Sequence, residues 1–155
     1  HLAGVLDLEI GGPTENPSNA AARRRSLYFT QSRDARNAFI AMFDDADIQR
    51  CYRRSESIVP QQALAMANSR LTLEMSRLLS QQIVEQSSVD TNDQVAFVRN
   101  SFELLLARQP TDVELTECQA TLTQLAAVLK DATEGRGRTV LVHALLNHND
   151  FVTIR

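Results

Sequence analysis

The sequence predicts a mostly α-helical fold: an irregular bundle of about five helices behind a long loop-rich N-terminal segment. Apolar residues recur three and four positions apart over much of the chain, two helix-start patterns occur at Thr91 and Thr111, and strand-like alternation is almost absent. At 155 residues the chain suits one domain with its own core. We therefore expect a single helical domain, loop-rich over residues 1–33 and a bundle over residues 34–155.

The N-terminal part carries few helix signals. GGPTENPSN, residues 11–19, is typical of a loop. AARRRSLYFTQ, residues 21–31, indicates an extended segment or one strand, for which the sequence offers no obvious partner. DARNAFIAMF, residues 34–43, then predicts a short helix with four apolar side chains at helical spacing: Ala38, Phe39, Met42 and Phe43.

The longest helix signal follows Pro60, which suits a first helical turn because the missing N–H would have no partner there. Apolar residues then recur over about six turns: Leu64, Ala67, Leu71, Met75, Leu78 and Ile83. Asn68 and Ser69 interrupt this pattern, so the sequence predicts a bend or a break between them.

Two capping boxes predict two further helices. Thr91 with Gln94 opens the first, whose expected buried stripe is Val95, Val98, Phe102 and Leu105. Pro110 ends that helix, and Thr111 with Glu114 opens the next. The stripe expected of this second helix is Leu115, Cys118, Leu122, Leu125 and Leu129, so we interpret Cys118 as a packing residue rather than a nucleophile.

The last helix is expected after EGRGR, residues 134–138, which predicts a flexible turn. In the TVLVHALLNHNDF that follows, we expect Phe151 to close the end of the helix. The side chains expected to face inward are Val140, Leu141, Ala144 and Leu145.

Composition limits the classes of function. The net charge of −3 gives the molecule no general attraction for nucleic acid or anionic membranes. No apolar run approaches the ~20 residues of a membrane span. Because the chain begins at His1 rather than Met, we expect a fragment of a longer protein whose targeting signal, if any, lies upstream. Fifteen of the sixteen basic residues are arginine, but their scatter favours genome composition over an anion-binding surface.

Local motifs for chemistry are weak. His143 and His148 lie five apart, which does not place two imidazoles on one helical face, and Asp44, Asp45 and Asp47 lack the spacing of a calcium loop. No nucleophile elbow or phosphate-binding loop occurs, so we assign no catalytic residue and no metal ligand. Cys51 and Cys118 could form one disulfide in an oxidising compartment or remain two buried thiols, and sequence alone favours the thiols.

Several blocks together resemble a known family: RRRSLYFTQSR from Arg23, FDDAD…CYRRSESIVPQQALAMANS from Phe43, SFELLLARQPTDVELTECQ from Ser101, and the closing LLNHNDFVTIR. They are similar to the C-terminal planctomycete-specific domain, a domain of unknown function (DUF1553), of large secreted planctomycete proteins. The resemblance runs from about Leu6 to the last residues. It departs from the family pattern at Asp45-Ala46, where the family places a proline, and at Ile58-Val59, where small hydroxyl residues are usual.

The resemblance implies a context rather than a reaction. Relatives usually carry an upstream domain of unknown function, which would be the partner of this one, and often a cytochrome-c-like haem domain. They are exported to the periplasm or cell surface, with suspected roles in polysaccharide breakdown or cell-surface redox chemistry. The implied cofactor content of this fragment is none, because a haem would belong to an upstream domain.

The candidate binding residues are those that match the family's blocks: Arg24, Arg25, Asp44, Arg53, Arg54, Ser57, Gln61, Gln62 and Asn68. We expect a structural network in which Arg53 or Arg54 pairs with Asp44 or Glu56. Gln61 and Gln62 would then bond loop backbone, because irregular backbone needs side-chain partners. The alternative is that these groups line a cleft completed by an upstream domain.

Three functions remain open at this point. The first is a non-catalytic helical domain that packs on its neighbour in a secreted multidomain protein. The second is part of an enzyme site shared with an upstream domain, acting on carbohydrate or sulfated glycan. The third is a docking surface for a haem domain. An exposed apolar patch near the N-terminal segment would favour the first, and a deep pocket with convergent carboxylates the second.

Overall fold

The computed structural model describes residues 1–19, 21–30, 32, 37–43, 59–86, 93–128 and 135–152. The chain divides into two compact units, His1–Ala65 and Met66–Arg155. The described residues contain seven α-helices, and the five that have ten or more residues match the predicted mostly helical fold. The helices are α1 (Ala38–Ala41), α2 (Val59–Asn68), α3 (Arg70–Gln86), α4 (Gln94–Leu106), α5 (Asp112–Val128), α6 (Gly135–Leu146) and α7 (Asn149–Val152).

The described part of residues 1–33 is mainly irregular chain, as predicted. Its arginine-rich segment contains a 3₁₀ turn, Ser26–Tyr28, between extended residues. The segment does find a partner, which the sequence did not indicate. Glu15 N–H donates to the Tyr28 carbonyl at 2.9 Å, Thr30 N–H donates to the Glu15 carbonyl at 2.7 Å, and Glu15 and Phe29 form a single parallel bridge.

The break predicted at Asn68 and Ser69 is confirmed. α2 ends at Asn68, and Ser69 starts α3 by accepting the Thr72 N–H on its hydroxyl at 3.0 Å. The predicted stripe is only partly right for α3, because Ile83 is buried as expected while Met75 and Leu78 are half-buried. Leu71 is half exposed, and the buried face consists of Thr72, Ser76, Leu79, Ser80 and Ile83.

The core of the second unit lies between α3, α4 and α6, and α5 adds little to it. α3 and α6 form the most extensive helix pair. The buried apolar residues are Leu79 and Ile83 of α3, Phe97, Val98, Phe102 and Leu105 of α4, Leu122 of α5, and Leu141, Val142, Leu145 and Leu146 of α6. Two predicted members of the α5 stripe, Leu115 and Leu125, are only half-buried, and Leu129 lies outside the described residues.

Buried serines permit close helix packing without an unpaired hydroxyl. Ser76 donates to the Thr72 carbonyl at 2.6 Å, and Ser101 donates to the Phe97 carbonyl at 2.7 Å, each within its own helix. The hydroxyl oxygens of Ser80 in α3 and Thr139 in α6 lie 3.1 Å apart. These short side chains leave room for the large ones beside them, which is why polar residues occupy positions that the apolar pattern missed.

Two helix starts differ from the prediction. α4 begins at Gln94 with Asp93 as its cap, whose carboxylate accepts the Ala96 N–H at 3.0 Å; Thr91 lies outside the described residues. The predicted turn at EGRGR is also wrong, because α6 already begins at Gly135. Gly137 and Arg138 are buried, and the Arg138 guanidinium stands 5.2 Å from the centre of the Phe97 ring. Tertiary packing therefore overrides the low helix propensity of two glycines.

The inward face of α6 is shifted from the predicted one. Leu141 and Leu145 are buried as expected, but Val140 and Ala144 are exposed, and Val142 and Leu146 take their places. Starting the helix at Gly135 aligns Arg138, Leu141, Val142 and Leu145 on one side at three- and four-residue steps. No helix within the described residues has the length and hydropathy needed to cross a membrane.

Replacing Gly137 with alanine should stabilise the second unit by about 0.5–1 kcal/mol, measured by urea unfolding. The residue is helical, and an added Cβ would lie 3.7 Å from Leu122 Cδ2 and from Leu125 Cβ, which is ordinary packing distance. Gly135→Ala is the matched control, because its Cβ would meet nothing within 4 Å. A loss of stability in Gly137→Ala would mean that α5 and α6 are closer than described.

Candidate functional site

One of the predicted site residues, Arg24, organises the N-terminal loop. Its side chain is only 8% exposed, and its guanidinium bonds three backbone carbonyls. Nη1 donates to the Pro13 carbonyl at 3.0 Å, and Nη2 donates to the carbonyls of Glu9, at 3.1 Å, and Gly11. The remaining Nε–H is buried and has no partner among the described residues. We call residues 7–13 with Arg24 and Tyr28 the Arg24 loop.

Tyr28 and two glycines complete the Arg24 loop. The Arg24 guanidinium lies over the Tyr28 ring, 3.9 Å from its centre, and the Gly11 N–H donates to the Tyr28 hydroxyl at 3.3 Å. Gly11 and Gly12 both have φ of +85°, a left-handed conformation that residues with a side chain disfavour. Three carbonyls and an aromatic face therefore surround the charge of Arg24, which agrees with the expected structural network.

The other predicted site residues do not converge on Arg24 in the part of the chain that is described. Arg25 is exposed, and its carbonyl accepts the Tyr28 N–H at 2.9 Å at the start of the 3₁₀ turn. Gln62 donates to the Met42 carbonyl at 3.0 Å, a bond to loop backbone of the expected kind. Gln61 and Asn68 lie exposed on α2. The others lie outside the described residues, so the expected ion pair stays a prediction: Asp44, Arg53, Arg54, Glu56 and Ser57.

The second unit contains a polar junction that the sequence did not reveal, centred on Arg108 just after α4. Both terminal nitrogens of the Arg108 guanidinium donate to the carboxylate of Glu114 in α5. Nη1 donates to Oε2 at 2.9 Å, and Nη2 donates to Oε1 at 2.7 Å. Its Nε donates to Oδ2 of Asp150 in α7 at 3.0 Å. One guanidinium thus joins the end of α4 to the starts of α5 and α7, which we call the Arg108 junction.

Glu114 belongs to the capping box predicted from sequence, which is confirmed. The Thr111 N–H donates to Glu114 Oε2 at 2.7 Å, and the Glu114 N–H donates to the Thr111 hydroxyl at 3.3 Å. The hydrogen bonds from Arg108 first, and then from Thr111, lower the pKa of Glu114 from 4.5 to about 2. The same bond to Glu114 raises the pKa of Arg108. At neutral pH both groups are fixed in their charged forms, so neither can serve as a general acid or base.

The cysteine and the histidines form no reactive centre among the described residues. The Cys118 thiol is free and half-buried, and burial first, then Glu114 and Glu117, raises its pKa. Burial with a raised pKa makes a poor nucleophile, in agreement with a packing role. Cys51, with which it could form a disulfide, lies outside the described residues. The His148 Nδ1 accepts the Asp150 N–H at 3.1 Å, and no group of three potential metal ligands occurs in the described part of the chain.

Two surface grooves can be recognised in the second unit. One of about 390 Å³ lies between α3 and α4 and is lined by Ile83, Gln86, Asn100, Glu103 and Leu104. Another of about 210 Å³ lies beside the start of α6 and contains Glu85 and Arg138. The described lining of each groove includes one carboxylate, and that of Glu103 accepts a hydrogen bond from Gln109 Nε2 at 3.1 Å. Among the described residues, neither groove therefore has the pair of convergent carboxylates expected of a glycan-cleaving site.

Acid should weaken the second unit through Glu114. Its folded-state pKa of about 2 lies below the ordinary 4.5, so its stabilising contribution is complete above about pH 5 and lost as the pH falls toward 2. Because Arg108 and Glu114 are about a third exposed, we expect a contribution of about 1–2 kcal/mol rather than the full shift. Urea unfolding of Glu114→Gln between pH 7 and pH 2 should show that loss at neutral pH and a flatter pH profile.

Glu117→Gln is the control for this titration, because Glu117 is an exposed carboxylate on the same helix. It should leave both the stability at pH 7 and the acid profile nearly unchanged. Equal profiles for Glu114→Gln and the unmodified chain would contradict the Arg108 junction.

Removing Arg24 should open the Arg24 loop without unfolding the second unit. In Arg24→Ala the carbonyls of Glu9, Gly11 and Pro13 lose their shared donor, so the amides of Asp7 and Gly11 should exchange with solvent at least about tenfold faster by NMR. Arg25→Ala is the matched control, because its side chain is exposed and adjacent in sequence. Unchanged exchange in Arg24→Ala would show that the loop holds its shape without the guanidinium.

Comparison with known proteins gives a family. The sequence model of PSD1, described as protein of unknown function (DUF1553), matches residues 1–122. The match includes the Arg24 loop, Arg108 and Glu114, and it ends within α5, so the closing LLNHNDFVTIR lies beyond it. No curated protein and no solved structure shows a significant match. Because the matched residues make up most of the chain, it belongs to the PSD1 (DUF1553) family of proteins of unknown function.

Proposed function

We propose that the chain is a non-catalytic interaction domain that docks onto a neighbouring domain through its N-terminal unit. The observation that carries this proposal is the exposure of large apolar side chains on that unit. Ile10 is 90% exposed, Leu27 68%, Leu8 57% and Leu2 42%. Large apolar side chains exposed to this extent are typical of surfaces that another polypeptide covers.

The setting of these side chains strengthens the case for docking. Leu8 and Ile10 lie in the Arg24 loop, whose backbone is held by the Arg24 guanidinium and the Tyr28 hydroxyl. Leu27 lies in the 3₁₀ turn that places Tyr28. An apolar group presented on a fixed backbone loses little conformational freedom on binding, so such a loop suits recognition better than a mobile one would.

The polar residues support a non-catalytic role. The side chains of Arg24 and Arg108 donate their hydrogen bonds to protein oxygens. Glu114 is held as a carboxylate far below neutral pH, whereas acid–base catalysis needs a group that titrates near the working pH. This arrangement favours docking over a glycan-cleaving site shared with another domain.

The wider context of the proposal rests on the resemblance of the motifs. We infer an exported, multidomain planctomycete protein in which this chain is the C-terminal domain and its partner is an upstream domain. A haem group, where such a protein carries one, would belong to a cytochrome-c-like upstream domain.

Binding of the chain to the separately produced remainder of its own polypeptide, measured by isothermal titration calorimetry, tests the proposal. Ile10→Asp with Leu27→Asp should weaken binding by about 100-fold, because charges would replace two apolar side chains that the partner covers in the complex. Val113→Asp with Val128→Asp is the control, since both valines are exposed apolar residues on α5. No binding by the unmodified chain, or equal weakening by both pairs, would refute the proposal.

A further inference from the structure

We propose that docking occurs by strand addition, in which an extended basic segment of the partner pairs with the backbone of residues 8–10. This inference rests on the proposed function, because it specifies how the same surface would bind. The backbone defines the open edge, the side chains define the partner, and Arg24 keeps the edge in place.

Within residues 7–11, the backbone groups that form hydrogen bonds belong to alternate residues. Asp7 N–H donates to the Arg23 carbonyl at 2.9 Å, Glu9 N–H donates to Asp7 Oδ1 at 2.9 Å, and the carbonyls of Glu9 and Gly11 accept from Arg24. These residues have odd numbers. In an extended chain the N–H and C=O of one residue share a side, and those of the next residue point to the other side. The arginine segment therefore occupies one edge.

The opposite edge belongs to Leu8 and Ile10. Among the described residues, no hydrogen bond involves the backbone N–H or C=O of either one. Two donors and two acceptors at alternate residues thus have no partner among the described residues, as at the edge of a sheet. Such an edge is a template for a further strand, and many proteins recognise extended peptides in this way.

The side chains specify what the added strand must carry. Leu8 and Ile10 alternate with Asp7 and Glu9, and all four are exposed. An added strand would place apolar residues beside Leu8 and Ile10 and would gain from lysine or arginine opposite the two carboxylates. A second copy of the chain does not fit. An antiparallel pair centred on Leu8 would set Asp7 against Glu9, and one centred on Glu9 would set Glu9 against itself.

The buried Arg24 explains why this edge can persist without its partner. A lone two-residue edge in a free loop would fold back or disorder, because ordering its backbone costs conformational entropy. Here the Arg24 guanidinium and the Tyr28 hydroxyl fix the chain from Glu9 to Pro13. The hydrogen bonds of the folded domain therefore offset the entropy cost of ordering this backbone before the partner binds.

The test uses the 155-residue chain and the capped peptide Thr-Val-Lys-Val-Lys-Val-Thr, observed by ¹⁵N NMR. We expect the Leu8 and Ile10 amides to shift on titration and to exchange at least about tenfold more slowly with solvent. The Asp7 amide, already bonded to Arg23, should change little. The same peptide with glutamate in place of lysine should bind at least about tenfold more weakly.

Ile10→Pro removes one donor of the edge, and Ile10→Val retains it as the matched control. Proline should abolish the peptide-induced shift at Leu8, and valine should preserve it. An unchanged Asp7 amide in Ile10→Pro would show that the Arg24 loop is still folded. Equal shifts with the lysine and glutamate peptides, or binding unaffected by Ile10→Pro, would overturn strand addition.

Two further outcomes separate this inference from the proposed function. If the remainder of the polypeptide binds the unmodified chain and Ile10→Pro equally well, strand addition is wrong while docking through the N-terminal unit stands. If concentration alone slows exchange at Leu8 and Ile10 and sedimentation shows a dimer, the partner is a second copy and the basic partner is wrong.

Discussion

The guanidinium group of Arg24, bonded to three backbone carbonyls, is the interaction on which the irregular part of this chain depends. Between Asp7 and Pro13 the backbone forms neither helix nor sheet, so its carbonyls need partners from elsewhere. One planar group with several donors can satisfy them together, which a lysine with a single ammonium could not do in the same geometry. The aromatic face of Tyr28 covers the remaining side of the cation.

Arg108 applies the same chemistry to helix ends. Its fork joins Glu114, and its third nitrogen joins Asp150, so three helix ends meet at one cation. The two arginines differ in what they hold: Arg24 binds neutral carbonyl dipoles in a buried place, whereas Arg108 binds two carboxylates at a partly exposed one. Because Arg24 is buried, its removal should cost more stability than the removal of Arg108. The exposed side chains of the Arg24 loop are mainly apolar or acidic.

Apolar periodicity and local capping patterns predict much of the helical fold. The mostly helical fold, the restart at Ser69 and the Thr111–Glu114 box depend on residues close together in sequence, and each agrees with the structure. The apolar pattern predicts the buried faces of α3 and α6 only in part, because packing places serines and a glycine in the interior. Helix propensity likewise failed at GRGR, where burial of Gly137 against Leu122 and Leu125 outweighs the flexibility of glycine.

The candidate site was only partly accessible from sequence. Arg24 matched a family block, but its partners are carbonyls, which carry no signature in the sequence. Arg108 and Asp150 lie 42 residues apart, and no local pattern connects them. The sequence feature that hints at the pair of Arg108 and Glu114 is the run RQPTDVEL, in which an arginine precedes a capping glutamate by six positions. The predicted pairing of Arg53 or Arg54 with Asp44 stays a prediction of the same kind of clamp.

The most direct test of the central claim is the rotation of arginine side chains measured by ¹⁵N NMR of their guanidinium groups. If Arg24 and Arg108 are structural clamps, each should give separate resonances for its two Nη groups, because rotation about the Cζ–Nε bond requires breaking their hydrogen bonds. The exposed Arg25 should give one averaged resonance. An averaged signal for Arg24, equal to that of Arg25, would contradict the account.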